Sequence, residues 1–237
     1  MIIKGFIGTS LIDYPNTIAC VVFLGKCNYK CPFCHNYELV IDKYLEKSPD
    51  ISEEEILKKI SIRQKFIEGV VITGGEPTLD GNVIEFIRKI KEVSPAMKIK
   101  LDTNGSNPDI IKIITSEGIV DYIALDIKTS KEKYDSTTMT KNSFLKVNDS
   151  IKLLLNSNQD YEFRTTVVPN IVEKEDLIKI GELIKGAKRY ILQQFNNTNT
   201  LNIEYIKVKP YPETFFIEIK NYLEDTYKLN VKLRLNK

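Results

Sequence analysis

The sequence predicts an α/β protein, a partial (β/α)6 barrel, and three observations carry that expectation. Short β-branched runs alternate with helical periods along almost the whole chain. The βα units number six, two short of the eight that close a barrel, which leaves one side open. No linker, low-complexity tract or internal repeat interrupts the pattern. A chain of 237 residues with 42% hydrophobic content can bury a substantial core, and this length suits one α/β domain over 1–237 better than two small ones.

The strand candidates are Thr17 to Leu24, Gly69 to Thr73, Lys98 to Asp102, Tyr122 to Ile127, Tyr161 to Val168 and Arg189 to Gln194. Between them lie apolar stripes at helical spacing. Val83, Phe86, Ile87 and Ile90 form one stripe, Val147, Ile151, Leu154 and Leu155 a second, and Leu177, Ile180 and Ile184 a third. Ser52 with Glu55 reads as a capping box opening a helix. A last helix is expected from about Pro212 to Asp225, then a short strand near Val231 to Leu235. The segments Thr129 to Asn142 and Asn196 to Tyr211 read as long polar loops after the fourth and sixth strands, at the mouth where a substrate enters.

Composition narrows the function classes. A formal net charge of +2 gives no concentrated basic face for nucleic acid, and the many Lys and Glu read as a solvated surface. The N-terminus lacks a long apolar core with a small-residue cleavage site, and no run reaches the roughly 18 apolar residues of a membrane span. A cytoplasmic protein without membrane partners is the expectation. Four cysteines, three of them clustered, argue for metal rather than a disulfide framework. Cys20, inside the apolar run IACVVFLG, reads as a buried core residue.

The chemistry concentrates at strand ends, where active sites of parallel αβ barrels sit. After the first strand comes CNYKCPFCHN, which spaces Cys27, Cys31 and Cys34 as CxxxCxxC. A cubane iron-sulfur cluster takes four ligands, so three thiolates leave one iron open, and an open metal position is where reactions occur. The rival is a structural zinc knot of Cys27, Cys31, Cys34 and His35, although a histidine adjacent to Cys34 does not easily turn back onto the same ion. After the second strand comes Gly74-Gly75-Glu76-Pro77, either a turn or a place where the backbone approaches a ligand closely, with Glu76 as an added acceptor. The third strand ends in Asp102-Thr103-Asn104-Gly105, and a carboxylate there suits ribose hydroxyls. Asp126 and Lys128 end the fourth on one face, as an ion pair or as ligand contacts. Arg164, in the apolar fifth strand, needs a buried carboxylate or an anionic ligand.

Taken together, CxxxCxxC with Phe33 before the last cysteine and His35-Asn36 after it resembles the cluster loop of the radical S-adenosylmethionine (SAM) enzymes. CxxxCxxCHN, DTNG and DIK are most similar to the glycyl-radical-enzyme activating proteins. The resemblance covers a core of about 13–195, with a C-terminal helix and tail over 196–237. It implies the six-unit partial barrel, a 4Fe-4S cluster on Cys27, Cys31 and Cys34, and SAM held by Gly74, Gly75, Glu76, Asp102, Thr103, Asn104, Asp126, Lys128, Arg164 and Gln193. Glu76 and the glycines would hold the methionine amino group, and Asp126 and Lys128 the ribose and carboxylate region. A monovalent cation on Asp102, Thr103 and Asp126 is a further implication. His35 and Asn36 would pack beside the cluster without ligating it. The resemblance also implies a ferredoxin or flavodoxin as electron donor, a glycyl-radical enzyme as protein substrate and no catalytic side chain beyond those that hold cofactors. Pyruvate formate-lyase activases have a histidine near the end of the sixth strand, whereas this chain reads LQQFNN with Gln193 and Gln194. That favours the type that activates anaerobic ribonucleotide reductase, although Asn16 stands where those proteins usually have glycine. The alternatives are a small-molecule radical SAM enzyme such as 7-carboxy-7-deazaguanine synthase, and a non-catalytic zinc-binding interaction module.

Overall fold

The structure, a computed structural model, describes residues 1–236. Its strands among those residues are β1 Ile3–Ser10, β2 Ala19–Leu24, β3 Gly69–Gly74, β4 Lys98–Thr103, β5 Tyr122–Asp126, β6 Tyr161–Val167, β7 Tyr190–Gln194 and β8 Val231–Arg234. The helices are α1 Asp42–Leu45, α2 Glu53–Arg63, α3 Asn82–Val93, α4 Pro108–Glu117, α5 Lys131–Thr138, α6 Ser143–Leu155, α7 Lys174–Leu183 and α8 Glu213–Tyr227. Strand order in the sheet follows the chain. The fold class is the expected α/β, and β2 to β7 are the six expected strands, each within two residues of its expected bounds. The chain divides into two compact units, Met1–Asn28 with Glu38–Thr103 and Asp109–Ile123, and Tyr29–Tyr37 with Asn104–Pro108 and Ala124 onward.

In the first unit β2, β3 and β4 are parallel, and the near-continuous apolar runs of β2 and β3 are what strands covered on both faces require. The expected stripe Val83, Phe86, Ile87 and Ile90 on α3 is fully buried, as are Ile56 and Ile60 on α2, each such side chain contributing about 1.5–3 kcal/mol. Ser52 caps α2 by accepting from the Glu55 N–H at 3.1 Å, the forward half of the expected box. β1 lies outside the six expected strands. It pairs antiparallel with β2, and its half-exposed alternation gives a weaker signal than the buried parallel runs.

In the second unit β6, β7 and β8 are parallel. The stripes on α6 and α7 bury Val147, Ile151, Leu154, Leu177, Ile180 and Ile184, while Leu155 is only half-buried at the helix end. α7 opens with a capping box of Glu173 and Asp176 that the sequence reading did not single out. α8 and β8 form where expected.

One expectation is overturned here. Thr129 to Asn142 is not a polar loop, because α5 occupies its centre and Thr129, Tyr134 and Thr138 are fully buried. The hydroxyls are buried because they are satisfied: Thr129 Oγ1 donates to the Ile171 carbonyl at 3.0 Å, and Thr138 Oγ1 donates to the Tyr134 carbonyl at 3.0 Å. Polar composition signals exposure only where such partners are lacking.

Candidate active site

Cys27 follows directly on a backbone that is fastened from both sides. The Lys26 N–H donates to the Leu39 carbonyl at 2.7 Å, and the Lys26 carbonyl accepts from the Glu76 N–H at 2.8 Å. One step earlier the Leu24 carbonyl accepts from the Gly75 N–H at 2.8 Å. This approach explains the two glycines. A Cβ on Gly75 would lie 1.9 Å from the Lys26 oxygen, and one on Gly74, at φ +118°, would lie 2.3 Å from the Leu24 oxygen. Gly74 and Gly75 thus hold the entry to the cysteine loop against the end of β3.

Glu76 is 2% exposed, and its Oε1 accepts from the Thr78 N–H at 2.9 Å, from Thr78 Oγ1 at 2.5 Å and from Thr103 Oγ1 at 2.7 Å. Three donors on one oxygen lock the side chain to the ends of β3 and β4. Asp102 pairs through Oδ1 with the ammonium of Lys100. The sequence reading missed both Thr78 and Lys100, and the available signal for Lys100 was a lysine between Ile99 and Leu101, two residues before Asp102 and so on its face of the strand.

In the second unit Cys31 is buried and Cys34 half-buried. The loop is stitched to the chain after β7: Leu201 N–H donates to the Cys34 carbonyl at 3.1 Å, and Asn202 N–H to the Pro32 carbonyl at 2.9 Å. Nδ1 of His35 lies 3.1 Å from the Asn199 carbonyl, and Asn199 Nδ2 donates to the His35 carbonyl at 3.2 Å. The Lys30 N–H donates to the Thr138 carbonyl at the end of α5 at 3.0 Å. The Asn196–Tyr211 segment is therefore bound to the cysteine loop, a contact between stretches 164 residues apart that no local pattern reveals.

Asp126 is the electrostatic centre of this unit. Arg164 Nε donates to its Oδ1 at 2.7 Å and Lys128 Nζ to its Oδ2 at 2.9 Å. Burial by itself would push the Asp126 carboxyl up, but Arg164 and Lys128 together hold it well below the usual carboxylate range. The same Lys128 opposes a rise in the thiols: burial pushes Cys31 up to about 11 and raises Cys34, with the Lys128 charge as the leading opposing influence in each case. Cys31, Cys34, Asp126, Lys128 and Arg164 thus share one electrostatic neighbourhood, and of the two readings of Asp126 and Lys128 the ion pair is present. Tyr134 Oη accepts from the Lys128 N–H at 3.4 Å and its ring stands edge-on to Tyr29, 6.5 Å between centroids, a link from the cysteine loop to Lys128 that was also missed.

Of the remaining expected residues, Asn104 is buried and its Oδ1 accepts from the Ser106 N–H at 2.9 Å. Gln193 is half-buried and accepts from Arg234 at 3.4 Å, on the side of β8. Cys20 is buried in β2, with its thiol pushed up to about 12 by burial.

All four cysteines carry free thiols, and the thiols of Cys27, Cys31 and Cys34 are of the kind that iron-sulfur clusters take as ligands. No three His, Cys, Asp or Glu side chains among the described residues already stand as a metal-holding group. Buried thiols raised in this way are stabilised as thiolates by a metal, which couples their deprotonation to binding. No helix among the described residues is long and apolar enough to cross a membrane.

The model of the radical SAM superfamily matches residues 21–184, a span that includes all three loop cysteines. A candidate glycyl-radical enzyme activating enzyme of Methanocaldococcus jannaschii is 34% identical over 241 residues, covering 98% of this chain and 95% of that one. The pyruvate formate-lyase-activating enzyme of Clostridium pasteurianum is 27% identical over 227 residues, covering 92% and 85%. Among solved structures, Streptococcus suis SuiB bound to S-adenosylmethionine has a TM-score of 0.63 at 14% identity, over 92% of this chain and 52% of that one. Likeness at that identity is likeness of fold.

Proposed function

The chain belongs to the radical SAM superfamily, and we propose that within it the protein activates a glycyl-radical enzyme, an anaerobic ribonucleotide reductase, in the cytoplasm. Its cofactors are those of the superfamily, a 4Fe-4S cluster and SAM, and the reading as a zinc-binding module falls away with that membership. The observation that carries the proposal is the 34% identity to the M. jannaschii activating-enzyme candidate along 98% of the chain. The CHN, DTNG and DIK strings lie inside that span.

When bound, the cluster and SAM supply the chemistry: one electron from a ferredoxin or flavodoxin breaks the sulfonium carbon–sulfur bond to give methionine, and the hydrogen taken from the partner's glycine leaves in 5'-deoxyadenosine. The chain's own residues hold and shield. Cys27, Cys31 and Cys34 would ligate the cluster, and His35, engaged with Asn199, would stay out of the ligand set. Gly74, Gly75 and Glu76 would hold the methionine end of SAM, and Asp102, Thr103 and Asn104 its ribose. Lys128 and Arg164, both charge-paired to Asp126, would offer positive charge to its carboxylate, and Gln193 would contact the adenosine. Electron paramagnetic resonance tests the whole reading. Reduced, reconstituted protein and SAM mixed with the anaerobic ribonucleotide reductase of the same organism should give a glycyl-radical signal. A signal with a different glycyl-radical enzyme would reassign the partner, and SAM cleavage without any protein radical would reject the activating role.

A further inference from the structure

Lys100 is 2% exposed in the middle of β4, between the fully buried Ile99 and Leu101. A lysine is almost never this buried unless it is paired, because removing an ammonium from water is costly without a partner. The partner is Asp102 Oδ1, two residues on and therefore on the same face of the strand. Asp102 is the more open member, with its side chain 16% exposed against 2% for Lys100, at the C-terminal end of a parallel strand, where ligands of such folds bind. The arrangement is an ammonium set beneath a carboxylate that meets the ligand.

We propose that Lys100 is the positioning residue of Asp102 and its built-in counter-ion, so that this carboxylate works without a bound monovalent cation. The inference rests on the reading of Asp102 as a cofactor contact. An ammonium fixed to Oδ1 does two things that a bound sodium or potassium ion would otherwise do: it sets the rotation of the carboxylate, and it offsets the carboxylate's negative charge. Because the ammonium is carried by a buried strand, its supply does not depend on the ionic composition of the solution.

The test is calorimetric titration of SAM into the anaerobically reconstituted protein, in potassium and in tetramethylammonium buffers of equal ionic strength. The unaltered protein should bind SAM equally in both, within about twofold. Lys100→Met should lose about tenfold in tetramethylammonium, the loss expected of one charge-assisted contact, and regain part of it in potassium, a rescue that a purely structural role would not give. Dependence of the unaltered protein on potassium would overturn the inference, as would a Lys100→Met variant that binds normally in both buffers. Should Lys100→Met unfold, Lys100→Gln and the cation arm on the unaltered protein still decide. Asp102→Asn separates the two layers: normal binding there removes Asp102 from the cofactor site and the inference with it, whereas loss there with normal Lys100→Met binding overturns the role of Lys100 alone.

Discussion

The cysteine loop is held by different means at its two ends. At the entry, Leu24 and Lys26 are bonded backbone to backbone with Gly75, Glu76 and Leu39, and the approach is so close that neither Gly74 nor Gly75 has room for a Cβ. At the exit, the holding segment runs from Asn199 to Asn202 and is joined through two backbone bonds and a reciprocal contact with His35. The entry is a fixed geometry written in glycine. The exit is a set of separable bonds, several of which any side chain would leave intact. The backbone leading into Cys27 thus leaves no room for an added atom at Gly74 or Gly75, whereas the contacts around Cys34 can be removed one at a time.

The largest effects are expected at the three loop cysteines, the proposed cluster ligands, and set the scale for both ends. Cys27→Ala, Cys31→Ala and Cys34→Ala should each abolish cluster retention, while Cys20→Ala, buried in β2, retains it. Iron per chain after anaerobic reconstitution measures this, and equal loss in Cys20→Ala would break the assignment.

Next comes the entry. Gly75→Ala should destabilise the protein by about 1–3 kcal/mol, the usual cost of forcing an atom into a packed site, with loss of iron in proportion. Thermal unfolding together with iron content checks it. A variant as stable as the parent would show that the entry backbone yields, and the contrast between the two ends would disappear.

On the exit side, Asp126→Ala and Lys128→Ala should leave the cluster in place and weaken SAM binding by about one to two decades, the value of a charge-assisted contact of roughly 1.5–3 kcal/mol. Unchanged affinity in both would return the pair to a structural ion bridge. The pH dependence is fixed in sign. Because the Asp126 carboxyl is held below its ordinary value in the folded state, its stabilisation is present above the unfolded value of about 3.9 and is lost only as pH falls through the lower folded value. The stability difference between the parent and Asp126→Asn should therefore be flat from neutrality to about pH 5 and narrow only in stronger acid.

The smallest effect belongs to Asn199→Ala, which removes one side-chain bond, to the His35 carbonyl at 3.2 Å, and leaves the backbone contacts standing. A loss of about 1 kcal/mol or less is expected, with normal iron content and at most a modestly faster release of iron to a chelator. Iron loss as severe as in Gly75→Ala would make the exit as obligatory as the entry.

By itself the sequence determined the six strands β2 to β7, the buried stripes of α3 and α7, the cysteine spacing and the common face of Asp126 and Lys128. These depend on neighbours within a few residues along the chain, where the period of a strand or helix fixes which side chains share a face. It determined less where polarity was the guide: Thr129 to Asn142 read as loop, yet Tyr134 and Thr138 are fully buried in α5 because their polar groups find partners that composition does not reveal. Only the tertiary structure decided that Glu76 is pinned by Thr103, 27 residues away, that His35 meets Asn199, 164 residues on, that Arg164 reaches Asp126 across 38 residues, and that Lys100 is buried against Asp102 at all. Such contacts are chosen by which strand ends and loops the sheet brings side by side, and that choice belongs to the packing of the whole chain rather than to any stretch of it.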